Sequence, residues 1–104
     1  MSLRIHLEAE AEIETARAYV EKQRPGWGAR LLQELEEVLR SVETNPCQRT
    51  LLETVPDGAS FRRVRLRRFR YNLIFEVLEA SVIVLAFAHT RRKPNYWKAR
   101  GIDD

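Results

Sequence analysis

Six arginines fall within nine residues of this chain: Arg62, Arg63, Arg65, Arg67, Arg68 and Arg70. A guanidinium stays charged at any cellular pH and grips a phosphate or carboxylate through two parallel hydrogen bonds. On a strand, alternate residues project from one face, so this run can form an array suited to phosphates or to an acidic protein segment. The plain alternative is an edge strand protected from aggregation by charge, although six arginines exceed what that needs. A second group lies near the end of the chain, where HTRRKPNYW places His89, Arg91, Arg92, Lys93, Tyr96 and Trp97 close together. Histidine exchanges a proton near neutral pH, arginine stabilises charge on a phosphorane, and tyrosine stacks on a base. That chemistry would suit metal-independent RNA cleavage, and a nuclease would draw on His89, Arg91, Tyr96 and Arg70. The spacing favours binding over catalysis. The target-contacting candidates are Arg63, Arg65, Arg67, Arg68, Arg70, Arg91, Arg92, Tyr96 and Trp97.

Other chemistries have little to stand on. His6 and His89 are the only histidines, and no metal-ligand spacing includes them, so no metal is expected. The four glycines are scattered and form no phosphate loop, so no nucleotide cofactor is expected either. Cys47 is the single cysteine, which excludes an internal disulfide. The glutamates of the first half read as solvated helix faces rather than a catalytic carboxylate pair.

At 104 residues, 44% hydrophobic and 32% charged, the chain suits one folded domain spanning 1–104. No apolar run approaches the ~20 residues that span a bilayer. The start, MSLRIHLEAEAE, turns acidic at once and does not resemble a signal peptide, so a cytoplasmic, reduced protein without membrane contact is expected. The net charge of +3 is unevenly divided. Residues 1–60 hold 7 Lys/Arg against 11 Asp/Glu, and residues 61–104 hold 11 against 4. The basic half calls for an anionic partner.

These groups need elements to position them. LRIHL at 3–7 alternates like a half-buried strand. Ala9, Ile13, Ala16 and Val20 then recur at helical spacing until Pro25-Gly26. Trp27, Leu31, Leu35, Val38 and Val42 predict an amphipathic helix over 27–44, stopped by Asn45-Pro46 and packed on the first as a hairpin. Residues 46–60, with Pro46, Pro56 and Asp57-Gly58, read as a loop. FRRVRLRRF, RYNLIFEVL and SVIVLAFAH read as three antiparallel strands. In the first, Val64 and Leu66 face the core while Arg63, Arg65 and Arg67 face outward. The last is apolar enough to lie centrally, buried on both faces. The expected fold is α+β, in the order β-α-α-β-β-β, with a helical hairpin on a mostly antiparallel four-stranded sheet.

With that order, ETNP at 43–46, YNLIFEV at 71–77 and VIVLAFAHTRRKPNYW at 82–97 resemble the RelE/ParE superfamily of type II toxin–antitoxin toxins. The resemblance covers essentially the whole chain, and the final strand running into His-x-Arg-Arg-x-Pro-x-Tyr-Trp is its most specific element. It implies a growth-inhibiting toxin bound by a cognate antitoxin in a hetero-oligomer. RelE-like members are ribosome-dependent mRNA endoribonucleases, whereas characterised ParE-like members poison DNA gyrase. RelE-like nucleases commonly carry arginine after the aromatic residue that begins the third strand; here Asn72 follows Tyr71. Where they carry lysines around the second strand, this chain has arginines, which do not act readily as general bases. His89 and Tyr96 match positions of a catalytic His and Tyr in some nucleases. The resemblance therefore points to the ParE-like branch and a non-enzymatic inhibitor. The alternatives are an mRNA interferase and a degenerate relative that only binds its antitoxin.

Overall fold

A computed structural model of the chain describes residues 2–54 and 60–101. Its elements are β1 (Ser2–Ile5), α1 (Leu7–Gln23), α2 (Trp27–Thr44), β2 (Thr50–Thr54), β3 (Ser60–Arg65), β4 (Tyr71–Val77) and β5 (Ser81–His89). Short 3-10 turns lie at Pro46–Gln48 and Lys98–Gly101. The strands form one sheet in the order β1-β5-β4-β3-β2, with β1 parallel to β5 and every other pair antiparallel.

The described sheet therefore has five strands rather than the four expected. The additional one, β2, falls inside the segment read as a loop. Its sequence TLLET is short, carries adjacent leucines instead of alternation, and shifts register between Leu51 and Glu53. Such a strand leaves no periodic trace. Pro56 and Asp57-Gly58, which suggested the loop, lie outside the described residues. β3 is shorter than expected and ends at Arg65, so Arg67 lies beyond it in a turn instead of on an outward strand position. β1 also ends early, because His6 leaves the strand to cap α1 and accepts the Glu8 amide on Nδ1 at 3.1 Å. Glu8 and Glu10 in the first turn suit the helix dipole.

The two helices cover one face of the sheet. Ala9 and Ala16 are fully buried, and such small side chains let α1 lie close to its neighbours. From α2, Leu31, Leu35 and Val42 join Leu73, Phe75, Val82, Val84 and Phe87 of the sheet in the principal core. On the opposite face Phe61, Ile74, Ile83 and Leu85 form a smaller apolar cluster, closed by Trp97. With both faces covered and β1 and β4 on either side, β5 is buried as its near-continuous apolar sequence implies.

The hairpin turns at Gly26, whose φ of 92° lies in the left-handed region. The Glu21 carboxylate accepts the amides of Gly26 (3.0 Å) and Gly28 (3.0 Å), which holds its acid below the usual carboxylate range. A Cβ at Gly26 would meet nothing, so substitution there strains only the backbone. Gly26→Ala is expected to destabilise the fold by about 1 kcal/mol. Chemical denaturation of the two proteins measures it, and an unchanged midpoint would contradict the left-handed turn.

Candidate functional site at the basic end of the sheet

The six arginines do not form one array. Arg62 turns toward β2 and is structural: its guanidinium donates to the carbonyls of Cys47 (3.2 Å) and Arg49 (3.0 Å) and to Ser60 Oγ (3.2 Å). Arg63 and Arg65 are exposed and share their parity with Phe61, hence the sheet face away from the helices. Arg67, Arg68 and Arg70 are exposed on the turn between β3 and β4.

That turn is firmly held. The Leu66 amide donates to the Tyr71 carbonyl at 3.0 Å, closing it. Phe69 packs edge-on against Trp27 of α2 at 5.8 Å. Glu34, almost wholly buried, accepts the backbone amides of both Arg67 and Arg68 (the latter at 3.3 Å). The carboxylate nearest these arginines is thus occupied by their amides, leaving the guanidiniums turned outward. The Thr90 amide donates to the Arg70 carbonyl at 2.9 Å, joining this turn to the one after β5 that carries Arg91, Arg92 and Lys93.

The C-terminal group is assembled around a residue read from sequence only as part of a helix face. Glu12 of α1 accepts the Phe87 amide at 3.0 Å, the Tyr96 hydroxyl at 2.8 Å, and both Arg100 nitrogens at 3.0 and 3.1 Å. Arg100 in turn donates to the Leu85 carbonyl at 2.8 Å. Arg92 lies over the Tyr96 ring at 3.8 Å and 3.8 Å from the Glu12 carboxylate. Trp97 is only 3% exposed and meets Phe61 edge-on at 5.2 Å.

Burial, then the bond to Glu12, pushes the Tyr96 phenol up to about 12. It is a fixed donor rather than a proton shuttle at neutral pH. His89 stands edge-on to Tyr71 at 5.4 Å, and its Nδ1 accepts the Arg91 amide at 3.1 Å. His89 and Tyr71 line a groove of about 330 Å³ between α1 and the sheet, together with Phe87, Arg92 and Glu12. Among the described residues no hydrogen bond joins the side chains of His89, Arg91, Tyr96 and Arg70. Trp97 is a core residue, and Tyr96 is committed to Glu12, so neither ring lies free on the surface as a target contact would. Arg63, Arg65, Arg67, Arg68, Arg70 and Arg91 do, and Arg92 does so while leaning on Tyr96.

Glu12, Glu34 and Arg100 escaped the sequence reading. A faint signal was present for the two acids: Glu12 lies three residues after Ala9 and four before Ala16, and Glu34 falls between Leu31 and Val38. A glutamate inside an apolar stripe has a buried task. Glu12→Ala would strand the Phe87 amide and the Arg100 charge and is expected to cost about 2 kcal/mol, read by denaturant unfolding. Because the Tyr96 pKa is raised in the folded state, its contribution is complete below pH 10 and is lost as pH rises from 10 toward 12. Alkaline titration of tyrosinate absorbance is expected to show a latest phase from Tyr96, later than that of Tyr71, which burial also displaces upward, and absent in Tyr96→Phe. A latest phase that survives in Tyr96→Phe would contradict the Glu12 bond.

The geometry has relatives. In a solved structure described as a chromosomal ParDE TA system from P. aeruginosa, one chain superposes with a TM-score of 0.72 at 19% identity, over 86% of this chain and 95% of that one. No curated sequence matches. The family model described as the ParE toxin of type II toxin–antitoxin system, parDE, matches residues 3–94, nearly the whole length. The chain belongs to the ParE toxin family of type II toxin–antitoxin systems.

Proposed function

We infer that this ParE-family toxin arrests growth by binding DNA gyrase, without nucleolytic chemistry, and that a cognate antitoxin neutralises it. The observation that carries the non-enzymatic reading is the Glu12–Tyr96 bond. A nuclease built on His89, Arg91 and Tyr96 needs a tyrosine free to meet the substrate and exchange protons. Here the hydroxyl is bound at 2.8 Å by a carboxylate that also holds Arg100. The arginines around the β3–β4 turn supply positive charge but cannot act as bases. Asn72, where nuclease relatives carry arginine, lies within β4 opposite Arg65 and Ala88.

An antitoxin segment has an apolar groove available. Ile13 of α1 and Leu32, Leu35 and Leu39 of α2 line a cleft of about 400 Å³ beside Ile5 of β1. Its rim bears Glu10, Glu14 and Glu36, so the acidic antitoxin segment suggested by the chain's basic half does not suit this groove. An acidic segment is better matched at the other groove, between α1 and the sheet, which His89 and Arg92 line and whose one carboxylate, Glu12, is already held by Arg100 and Tyr96.

Purified toxin is expected to inhibit gyrase supercoiling, and expression without antitoxin to induce a DNA-damage response with intact mRNA. His89→Ala should retain the growth arrest. Truncation of mRNAs within translated codons, abolished by His89→Ala, would replace this reading with an mRNA interferase. Absence of any growth defect would leave only a protein that binds its antitoxin.

A further inference from the structure

We propose that the basic end of the sheet binds the phosphate backbone of double-stranded DNA, without reading its bases, through Arg65, Arg67, Arg68, Arg70 and Arg91. The inference rests on the reading that this end is the toxin's target-contact surface, and it assigns the chemistry of what is contacted.

The first observation is that these charges are unneutralised. The ion pairs seen among the described residues include those of Arg17, Arg40, Arg92 and Arg100, and none involves the five. All five are exposed. Arg67 and Arg68 border a cleft of about 380 Å³ with Arg30, Gln33, Glu34 and Glu37. Glu34 is turned to the two backbone amides, and Glu37 makes no ion pair there among the described residues.

The second observation is that they occupy one end of the molecule on a fixed frame. Arg65 ends β3 opposite Asn72, Tyr71 pairs with His89, and the Thr90–Arg70 hydrogen bond ties the two arginine-bearing turns together. Glu34 and the Phe69–Trp27 contact hold the first turn to α2. A pre-positioned set of guanidiniums loses less freedom on meeting phosphates than mobile side chains would.

Two negative features select the ligand class. Protein interfaces have apolar centres depleted of charge, whereas DNA interfaces are polar and strongly positive. Among the described residues the exposed large apolar ones are Leu7, Tyr19, Leu32, Leu51 and Leu52, and none belongs to the β3–β4 turn or the turn after β5. Single-stranded nucleic acid is gripped by stacking on free aromatic rings. Here Trp97 is buried, Tyr96 lies beneath Arg92 with its hydroxyl on Glu12, and the one exposed ring among the described residues, Tyr19, belongs to α1 and to neither arginine-bearing turn. What remains suits a duplex backbone.

Fluorescence anisotropy with a labelled mixed-sequence DNA duplex, over a series of salt concentrations, tests this. Binding should weaken steeply with salt, and the Arg67→Ala/Arg68→Ala variant should flatten the slope of log K against log salt by about two, roughly one per lost phosphate contact. Circular dichroism checks that the variant folds; should it not, Arg91→Ala serves, with a change of about one. Arg40→Ala, further along α2 than the residues that border the cleft and paired with Glu36, should leave the slope unaltered. No duplex binding at low salt, an unchanged slope in the arginine variants, or tighter binding of single-stranded RNA or of polyaspartate than of the duplex would each overturn the proposal. A supercoiling assay on the same protein separates the two readings. Inhibition without duplex binding removes this inference and leaves gyrase as target; duplex binding with normal supercoiling does the reverse.

Discussion

β5 is the element on which the rest of this molecule is assembled, and half of one of its edges lacks a strand. β1 pairs only with Ser81–Val84, because the chain leaves the strand at His6 to begin α1. Beyond Val84, the Leu85 carbonyl and the Phe87 amide would face an unpaired edge inside a buried layer, which is costly. Glu12 accepts the amide and Arg100 donates to the carbonyl, and the two close on each other. One ion pair thus extends the ladder with side chains, fastens α1 to the sheet and holds the turn at Lys98–Gly101. Leu85 is also the extra residue in the pairing with β4, where Ile74 meets Ala86 and Phe75 meets Val84. The bulge lies where the side chains take over from the strand.

The turn at Lys98–Gly101, once held, shapes the surface. Once Arg100 and Tyr96 are drawn to Glu12, Trp97 closes over Phe61 and covers the sheet face opposite the helices. Residues that look like a reactive group in the sequence are thereby divided. Tyr96, Trp97 and Arg100 hold the fold, while Arg91 and Lys93 remain outside. A similar division recurs among the acids. Glu12, Glu21 and Glu34 each accept backbone amides, of Phe87, of Gly26 and Gly28, and of Arg67 and Arg68. Glu12 also pairs with Arg100 and Arg92, but Glu34 is taken up by the amides of Arg67 and Arg68, so the β3–β4 turn keeps its charge although the chain as a whole carries only +3. Electrostatic steering toward an anionic target follows from that arrangement.

Much of the fold was legible in the residues. The stripe from Trp27 to Val42 marked α2 to its observed ends, because a long helix with one apolar face repeats its signal over several turns. SVIVLAFAH marked a buried central strand for the same reason, since neither of its faces meets water. β2 was not legible, because five residues on a sheet edge bury too little to impose a pattern. β3 was read four residues too long, because RRF continues the basic run of RRVR while the chain has already turned.

The sequence by itself determined the element types, the order of all but one strand, the family resemblance and the asymmetry of charge. These follow from local periodicity and composition, which act over a few residues at a time. Only the tertiary structure decided what each charged side chain does. Whether a glutamate is a solvated face or the partner of a β5 amide depends on which backbone group lies opposite it, and Glu12 and Phe87 stand 75 residues apart. The same holds for Tyr96, whose hydroxyl is bound to Glu12, 84 residues earlier, and for Arg67 and Arg68, left outward because Glu34 takes their amides.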